Sequence, residues 1–363
     1  MKVVIASLGR AHLLDCAREL VNQGNDVTMF CSTHRNSFEK YGLTKGGVNL
    51  VYYSYPFYWL KQHIHTNWAI CLYRIIMDCL VWILMPECDV FIAQSPNYRY
   101  SMNKAKKKYN AISILDRGST HVEHFNELMR LYSDNTQSTA YINYDSKQYD
   151  EVDYITVASN FVRDGFLKYG FSLEKIFVNP YGVSLSNFHS TVCTGEYDVI
   201  YVGNWSKLKG VEKIVEAFAE SEIKFLHVGA LVDFPFPPLS NFTHVDPVPE
   251  YKLINYYRKS KCFLFPSYND GFGLVLCQAA ACGLPIVCSK NCGGSSLKEL
   301  IHDKKYIYLL DNITCDDIKA GVSIAMGQFE QGIKRDYVND YIDNFSWKGY
   351  GDRYQSFLKS IKR

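Results

Sequence analysis

FPSYNDGFGLVLCQAAACGLPIVCSKNCGG, residues 265–294, contains the pattern on which the fold assignment depends. An apolar run at 262–266 leads into a polar loop that holds Asp270 and then the residues Gly-Phe-Gly. The apolar residues that follow predict a helix over 272–282, ended by a glycine, and a strand over 285–289. A strand, a glycine loop, a helix and a strand in this order are typical of a doubly wound α/β sheet.

The glycine loop and the start of this helix predict a binding site for an anion. Glycine lets the backbone approach a ligand closely, and a helix N-terminus directs free N–H groups and a positive dipole end at it. A diphosphate suits that end. Asp270 stands at the rim, where it can accept bonds from sugar hydroxyls. Gln278 lies about two turns into the helix on roughly the same side, where it can bond a ribose. The alternative is a helix cap without a ligand.

The N-terminal half predicts a doubly wound domain of its own. A strand at 2–7, a turn at 8–11, a helix at 13–23 and a strand at 26–31 form a βαβ unit. Further apolar runs predict strands at 49–53, 90–94, 111–115 and 154–158.

The same pattern then begins again. It predicts a strand at 197–202, a loop at 203–210, a helix at 211–219 and a strand at 224–228. We therefore predict two Rossmann-like doubly wound domains with a cleft between them. The predicted bounds are 1–185 and 186–345, followed by a C-terminal helix within 346–363 that crosses back to the first domain.

Composition excludes several classes of protein. The chain has 363 residues, 47% hydrophobic and 21% charged, which is enough apolar material for two globular cores. Its net charge of +2 is too small for an electrostatic field that would attract nucleic acid. The start lacks the apolar stretch of a secretory signal, and the 12 cysteines are interpreted as thiols in a reducing, cytoplasmic compartment rather than as metal ligands. The sequence contains no DxD motif, which argues against a metal ion that holds the diphosphate. It also contains no P-loop motif and no GxGxxG motif after the first strand, which argues against a P-loop enzyme and a NAD-binding protein.

Two segments raise the question of a membrane. Residues 68–85 are largely apolar but contain Arg74 and Asp78, which can pair four residues apart on a helix. A membrane span would have to hide both charges, so we predict a buried helix, with an interfacial helix as the alternative. The lysine run at 104–108 is interpreted as a solvated helix face, and attraction to anionic lipid is again the alternative.

Residues 265–294 resemble the EGFGLxxxEAMAxGxP pattern of glycosyltransferase family 4, with Asp270 and Gln278 where the family usually has glutamate. Residues 202–210, VGNWSKLKG, resemble VGRLxxxKG, with Lys209 at the phosphate-contacting lysine and Asn204 in place of arginine. Residues 115–124, LDRGSTHVEH, resemble the DRGSxH block of a subset that builds surface polysaccharides. Residues 156–188 and 344–354 resemble the segment that leads into the linker and the closing element of the family.

The resemblance implies a GT-B fold and a retaining, metal-independent transfer of sugar from a nucleotide diphosphate sugar to a glycan or lipid-linked glycan. No cofactor and no nucleic acid partner are expected, and weak attachment to the cytosolic face of a membrane is an alternative to a free cytoplasmic enzyme. The residues expected to be catalytic are Asp270, Lys209 and His121. The expected donor-binding residues are Gly9, Asn204, Lys209, Val248, Asp270, Gly271, Phe272, Gly273, Leu274 and Gln278. The expected acceptor-side residues are His12, Arg117, Ser119 and His121.

The residues leave other interpretations open. The departures at Asn204, Asp270 and Gln278 leave open a protein of the same fold that only binds nucleotide or glycan. A second alternative is a relative that acts without glycosyl transfer, such as a nucleotide-sugar epimerase. His12 can be a surface residue, and His121 can be a structural loop histidine. Asp116 and Arg117 can pair with each other instead of contacting a ligand.

Overall fold

The computed structural model describes residues 1–9, 12–33, 37–63, 67–132, 136–190, 192–301, 304–330 and 342–361. Residues 10 and 11 of the predicted turn at 8–11 lie outside these ranges. All twelve cysteines are free thiols, and most are buried.

The first sheet has seven parallel strands and helices on both faces. Its strands are β1 Lys2–Ser7, β2 Asp26–Cys31, β3 Gly47–Asn49, β4 Val90–Gln94, β5 Ile112–Arg117, β6 Tyr154–Val157 and β7 Ile176–Val178, in the spatial order β3-β2-β1-β4-β5-β6-β7. Its helices are α1 Leu13–Asn22, α2 Ser37–Lys40, α3 Val51–His63, α4 Asn67–Leu84, α5 Arg99–Tyr109, α6 Val122–Tyr132, α7 Thr139–Glu151 and α8 Asn160–Lys168. Successive β1 residues point to opposite faces of the sheet, so Val3 packs into one core and Val4 into the other. This is expected of a strand that is covered on both faces.

The second sheet has six parallel strands. They are β8 Tyr197–Val202, β9 Phe225–Val228, β10 Phe242–Val245, β11 Ser260–Phe265, β12 Ile286–Ser289 and β13 Ile307–Leu310, in the order β10-β9-β8-β11-β12-β13. The helices of this half are α9 Val211–Phe218, α10 Ile254–Tyr257, α11 Leu274–Ala281, α12 Gly294–Leu300, α13 Cys315–Glu330, α14 Ile342–Phe345 and α15 Trp347–Ser360. Both sheets are those of a Rossmann-like doubly wound fold, as predicted.

Two predicted elements need correction. The predicted strand at 49–53 is wrong beyond Asn49, because the Asn49 side chain accepts the Val51 N–H at 3.1 Å and α3 begins there. The predicted helix at 272–282 begins two residues later, at Leu274. The Asp270 carboxylate accepts the Phe272 N–H at 3.0 Å and so holds the preceding residues in a turn.

The apolar segment at 68–85 is a helix, α4, but it is not buried all round. Its predicted Arg74–Asp78 pair is wrong, because Asp78 accepts the N–H groups of Tyr100 and Ser101 at 2.9 Å each. No side chain within α5 caps its start, so Asp78 satisfies these N–H groups from α4. Among the residues that the structure describes, no helix has the length and apolar character needed to cross a membrane.

The C-terminal helix α15 packs against α1 of the first half. Asn25 donates to Gln355 at 2.8 Å, and Gln23 bonds Asp352. Arg353 also donates to the carbonyl of Pro180 at 2.7 Å and of Asn344 at 3.0 Å. One guanidinium therefore fixes both chain segments that pass between the two halves.

Candidate active site between the two sheets

The carboxyl ends of strands from both sheets face a cleft, which is where ligands bind in open α/β sheets. The cleft contains a cavity of about 1090 Å³ between α1, the linker and α11. A neighbouring cavity of about 470 Å³ lies at the ends of β8 and β11. Leu274, at the start of α11, lines both. The two cavities therefore meet at this helix.

Lys209 is brought to the smaller cavity by the loop after β8. Trp205 is fully buried and its N–H bonds the Ala230 carbonyl at 2.8 Å, which anchors the loop. The chain then makes a short 3₁₀ turn, Lys207–Lys209, and reaches Gly210 with φ of +72°. A Cβ at Gly210 would lie 2.2 Å from the Pro266 carbonyl oxygen. Glycine at this position therefore lets the turn pack against the end of β11.

Lys209 and Asp270 form an ion pair at the rim of this cavity. The Lys209 ammonium donates to Asp270 Oδ2 at 2.7 Å and to the Asn269 carbonyl at 2.9 Å. It also lies 5.7 Å from the centre of the Phe265 ring. An ammonium has three N–H donors, so one remains for a ligand. The sequence predicted both residues in the site but not their direct contact.

The start of α11 faces the same cavity. Gly273 has a φ of +78°, and no side chain caps the helix. Gly273, Leu274 and Val275 line the cavity together with Gly118 and Phe272. Free N–H groups at an uncapped helix start can hold an anion, and Lys209 adds a positive charge beside them.

Gln278 lines the larger cavity. Its side chain is largely buried, and Oε1 accepts the Tyr257 hydroxyl at 3.1 Å. Tyr257 lies in α10 and is fully buried. Sequence reasoning missed it, because nothing in its local pattern distinguishes it from a core residue. Tyr257 fixes one end of the Gln278 amide.

The other predicted donor residues are placed differently. Asn204 is exposed and lines the smaller cavity, and its carbonyl accepts the Tyr201 hydroxyl at 2.7 Å. Val248 is half-buried beside Pro249 and Glu250, which line the larger cavity. In the described part of the chain, Gly9 lies outside the lining of both cavities, and its carbonyl accepts Ser7 Oγ at 2.8 Å.

His12 is the predicted acceptor-side residue that the structure places in the larger cavity. Its Nε2 lies 2.8 Å from Asp116 Oδ1, and its ring packs 4.2 Å from the Tyr181 ring. Tyr181 in turn lines the smaller cavity. Thr156 donates to the second Asp116 oxygen at 3.1 Å. The sequence singled out His12 and Asp116 but did not predict that they meet.

The alternative that Asp116 and Arg117 pair with each other is wrong, because successive side chains of a strand point to opposite faces. Arg117 instead donates to Asp145 at 2.8 Å and to the carbonyl of Thr120 at 3.1 and 3.0 Å. Its Nε also reaches the carbonyl of Ser119, at 3.2 Å. Arg117 is buried, and these contacts hold the loop after β5.

His121 is not brought to Lys209 and Asp270. It is buried, stacks on Tyr169 at 4.3 Å, and lines a separate cavity of about 390 Å³. Burial, and then the charge of Arg117, lowers the pKa of His121 to about 4, so the imidazole is neutral at pH 7. The two expected acceptor-side histidines therefore lie in different cavities, and Arg117 and Ser119 are in the lining of neither.

The two halves touch directly beside the smaller cavity. Ser159 Oγ donates to the Gly271 carbonyl at 2.5 Å, and the Asn160 N–H donates to Ser296 Oγ at 2.8 Å. The rings of Tyr132 and Tyr268 stack 3.8 Å apart. Among the described residues, no cluster of three His, Cys, Asp or Glu side chains is spaced to hold a metal ion.

Asp15, in α1, lines the larger cavity and provides a pH-dependent prediction. Burial raises its pKa from 3.8 to about 6, although Arg18 at 2.7 Å opposes the shift. Because the folded-state pKa is the higher one, this group stabilises the fold below about pH 4 and loses that effect as pH rises through 6. Asp15→Asn should therefore raise the free energy of unfolding at pH 8 by up to about 3 kcal/mol and leave it unchanged at pH 4.

Thermal and urea unfolding at both pH values measure this effect. The exposed Asp316 serves as the control, and Asp316→Asn should change stability at neither pH. An Asp15→Asn variant with equal stability differences at pH 4 and pH 8 would contradict the assignment of the raised pKa.

Comparison with known proteins places this fold and cleft in the GT-B class. Anabaena Alr3699/HepE in complex with UDP and glucose superposes with a TM-score of 0.68 at 13% identity, covering 99% of this chain and 100% of that one. Sucrose-phosphate synthase (tll1590) from Thermosynechococcus elongatus gives a TM-score of 0.65 at 15% identity, covering 99% of both chains. The predicted GT-B fold is confirmed.

Family models match both halves of the chain. Residues 10–187 match the model described as Glycosyltransferase Family 4, and residues 196–324 match the one described as Glycosyl transferases group 1. Together with the relatives below, these matches support the predicted assignment to glycosyltransferase family 4.

Curated relatives match over part of the chain. A D-inositol 3-phosphate glycosyltransferase of Arthrobacter sp. (strain FB24) is 29% identical over an alignment of 170 residues, and the match covers 39% of this chain and 40% of the relative. An O-antigen chain mannosyltransferase B of Escherichia coli is 39% identical over 56 residues, 15% of this chain and 14% of that one. The matched part thus spans two fifths or less of the length of these two relatives.

Proposed function

We propose that the protein is a glycosyltransferase that moves a sugar from a nucleoside diphosphate sugar to a glycan or lipid-linked glycan acceptor. The observation that carries this proposal is the position of Lys209, whose ammonium stands beside the uncapped start of α11 at the carboxyl ends of β8 and β11. A fixed cation and free backbone N–H groups at one point suit a diphosphate.

The donor extends through both cavities in this proposal. The diphosphate lies between the free N–H of Lys209 and the backbone of Gly273 and Leu274. Asp270 receives hydroxyl groups of the sugar, because its carboxylate has lone pairs left beside its bonds to Lys209 and Phe272. The nucleoside passes Leu274 into the larger cavity, where Gln278 contacts the ribose.

The chemistry proposed is departure of the diphosphate, stabilised by fixed groups. Negative charge grows on the leaving phosphate, and Lys209 with the start of α11 is already oriented toward it, so little reorganisation is needed. Asp270 is the one carboxylate among the described residues that line the smaller cavity, and Lys209 holds it. This favours a front-face displacement with retention over a covalent carboxylate intermediate. The acceptor oxygen bonds the anomeric carbon as the bond from that carbon to the diphosphate breaks, and the hydroxyl proton ends on the leaving phosphate.

The acceptor hydroxyl is proposed to lie near His12. The imidazole lines the larger cavity, and Asp116, which accepts from Thr156, sits behind it. A carboxylate on one ring nitrogen fixes the tautomer and orientation of a histidine. His12 can therefore accept a bond from the incoming hydroxyl while Asp116 holds the ring.

Calorimetry with UDP, GDP and their hexose derivatives, in excess EDTA, tests this proposal. At least one nucleoside diphosphate should bind with the same affinity in EDTA and in magnesium. Incubation of the matching sugar nucleotide with glycan acceptors should then yield a product whose anomeric configuration is read by NMR. Binding that EDTA abolishes would refute the phosphate assignment, and an isomerised nucleotide sugar formed without acceptor would identify an epimerase instead.

Gln278 provides a prediction on donor affinity. Gln278→Ala should weaken binding of both the free nucleotide and the sugar nucleotide by about fivefold, because one hydrogen bond to ribose contributes about 1 kcal/mol. Gln278→Glu should keep affinity, since a carboxylate accepts from hydroxyl groups at least as well.

Nucleotide affinity and melting temperature are measured on both variants and on Tyr257→Phe. The tyrosine variant removes only the hydroxyl that donates to Gln278 and should lower affinity less than Gln278→Ala does. Unchanged nucleotide affinity in both Gln278 variants, with a lowered melting temperature, would show that the residue only packs.

A further inference from the structure

Helix α4 is apolar on its exposed side as well as on the side that packs into the core, where Tyr73, Met77 and Val81 are buried. Cys71, Ile75, Cys79 and Trp82 are spaced four, four and three residues apart, so they share one face, and all four are exposed. Ile75 is 53% exposed and Ile83 is 64% exposed. A surface helix of a globular protein normally exposes polar residues on its outer side.

The two charged residues of α4 are turned inward. Asp78 is 3% exposed and bonds the start of α5. The Arg74 guanidinium packs 5.6 Å from the centre of the Tyr141 ring in α7. Helix α4 does contain charged residues, but both of them contact the protein, so its exposed face is left apolar.

Helix α3 packs beside α4 and adds exposed aromatic side chains. Tyr52, Tyr53, Tyr55 and Trp59 are all at least half exposed. The helix is fixed to α4 through Ser54, whose hydroxyl reaches Met77 Sδ at 3.9 Å, and through the rings of Tyr58 and Tyr73, 6.4 Å apart. Tyrosine and tryptophan combine an apolar ring with a polar group, which suits the boundary between lipid and water.

Lysines of α5 border the same face. Lys104 lies 4.9 Å from the centre of the Trp82 ring and donates to the Trp82 carbonyl, while Lys107 and Lys108 are exposed. The three helices, residues 51–63, 67–84 and 99–109, contain one carboxylate, the buried Asp78. Of their seven lysines and arginines, Arg74 is turned inward, and Arg99 and Lys106 pair with Glu151 and Asp153 outside these helices. The exposed part therefore carries no negative charge of its own.

We propose that this aromatic–lysine face, formed by the outer sides of α3, α4 and the end of α5, docks on the surface of an anionic lipid bilayer. The tyrosine, tryptophan and isoleucine side chains enter the headgroup region, and the lysines pair with lipid phosphates. Anionic lipid is the partner that satisfies both features, since it offers apolar depth and a uniform negative charge.

The position of this face suits an enzyme whose acceptor is held by lipid. Helix α2 lies between the two regions: Phe38 and Glu39 line a cavity with Tyr52 and Tyr53, whereas Lys40 and Tyr41 line the cleft. A docked protein would thus hold the acceptor side of the cleft close to the bilayer. Docking itself does not depend on the proposed function, because it needs no donor and no acceptor.

Co-sedimentation with vesicles tests the proposal. The protein should pellet with vesicles of phosphatidylcholine and phosphatidylglycerol, bind pure phosphatidylcholine far less, and lose binding as salt is raised. Lys107→Ala with Lys108→Ala should weaken binding about 30-fold at low salt, at roughly fivefold per lysine near an anionic surface. Ile75→Ser with Ile83→Ser should weaken it by at least roughly tenfold.

Matched controls carry the same changes elsewhere on the surface. Ile324→Ser and Lys319→Ala alter exposed residues of α13 and should bind as the unmodified protein does. An unchanged melting temperature confirms that every variant is folded. Absence of binding to anionic vesicles, or equal loss in the controls, would refute the proposal. So would light scattering that shows a dimer dissociated by the isoleucine variant, because a second copy would then cover the face.

Discussion

Lys209→Ala is expected to lower kcat/KM by about 100- to 1000-fold, because it removes a fixed charge aimed at the leaving phosphate. The fold should tolerate the change. The Lys209–Asp270 pair lies at a rim where the two side chains remain 19% and 24% exposed, and such partly solvated pairs contribute about 1 kcal/mol or less. Activity and stability should therefore separate in this variant.

Lys207→Ala is the matched control, since Lys207 belongs to the same 3₁₀ turn and is exposed. It should keep the turnover of the unmodified protein. Steady-state kinetics and melting temperature are measured on both variants. Lys209→Ala with normal turnover would remove this residue from the site, and an equal loss in Lys207→Ala would indicate that the turn rather than the charge is required.

Local patterns were sufficient to predict most of the architecture. The β-branched runs gave β1, β2, β4 and β8 within a residue or two, because strands buried on both faces are apolar throughout. The short edge strands β7, β10 and β13 were missed, since three or four residues carry little periodic signal. Residues 51–53, Val-Tyr-Tyr, are of types that favour strands, but the bond from the Val51 N–H to the Asn49 side chain starts a helix instead.

The candidate site was predicted less completely. Asp270 was identified from a glycine-containing loop, whose backbone requirements are local, and Lys209 from its match with the phosphate-contacting lysine of the family pattern. Their contact, and that of His12 with Asp116, join residues 61 and 104 positions apart, and no local pattern encodes such a distance. His121 lies just after the end of β5 in sequence, yet it packs against the rings of Phe166 and Tyr169, outside the cleft. Side-chain direction is set by tertiary packing, which the sequence pattern does not contain.

Gly271→Ala is expected to lower turnover about 100-fold while the donor still binds. An added Cβ would lie 1.9 Å from the Gly118 carbonyl oxygen and 3.1 Å from the Ser119 Cα. These are backbone atoms of the loop after β5, so no side-chain rotation relieves the overlap. The two halves must therefore separate at this contact, although alanine suits the backbone at position 271 because glycines of positive φ lie elsewhere.

The loss follows from the division of the site between the sheets. Lys209, Asp270 and Gln278 belong to the second half and should keep nucleotide affinity within roughly threefold, since the change leaves their mutual contacts intact. His12 belongs to the first half, so separation displaces the proposed acceptor contact from the sugar. A displacement of about 1 Å can cost 100-fold in rate. Kinetics, calorimetry with nucleotide and small-angle X-ray scattering together measure turnover, affinity and the separation of the halves.

Gly327→Ala is the control, because nothing lies within 4 Å of a Cβ at that helical position, and it should leave turnover unchanged. If Gly271→Ala turned over normally, contact between the halves at Gly118 would have no part in the reaction, and transfer would have to proceed from an arrangement more open than this one.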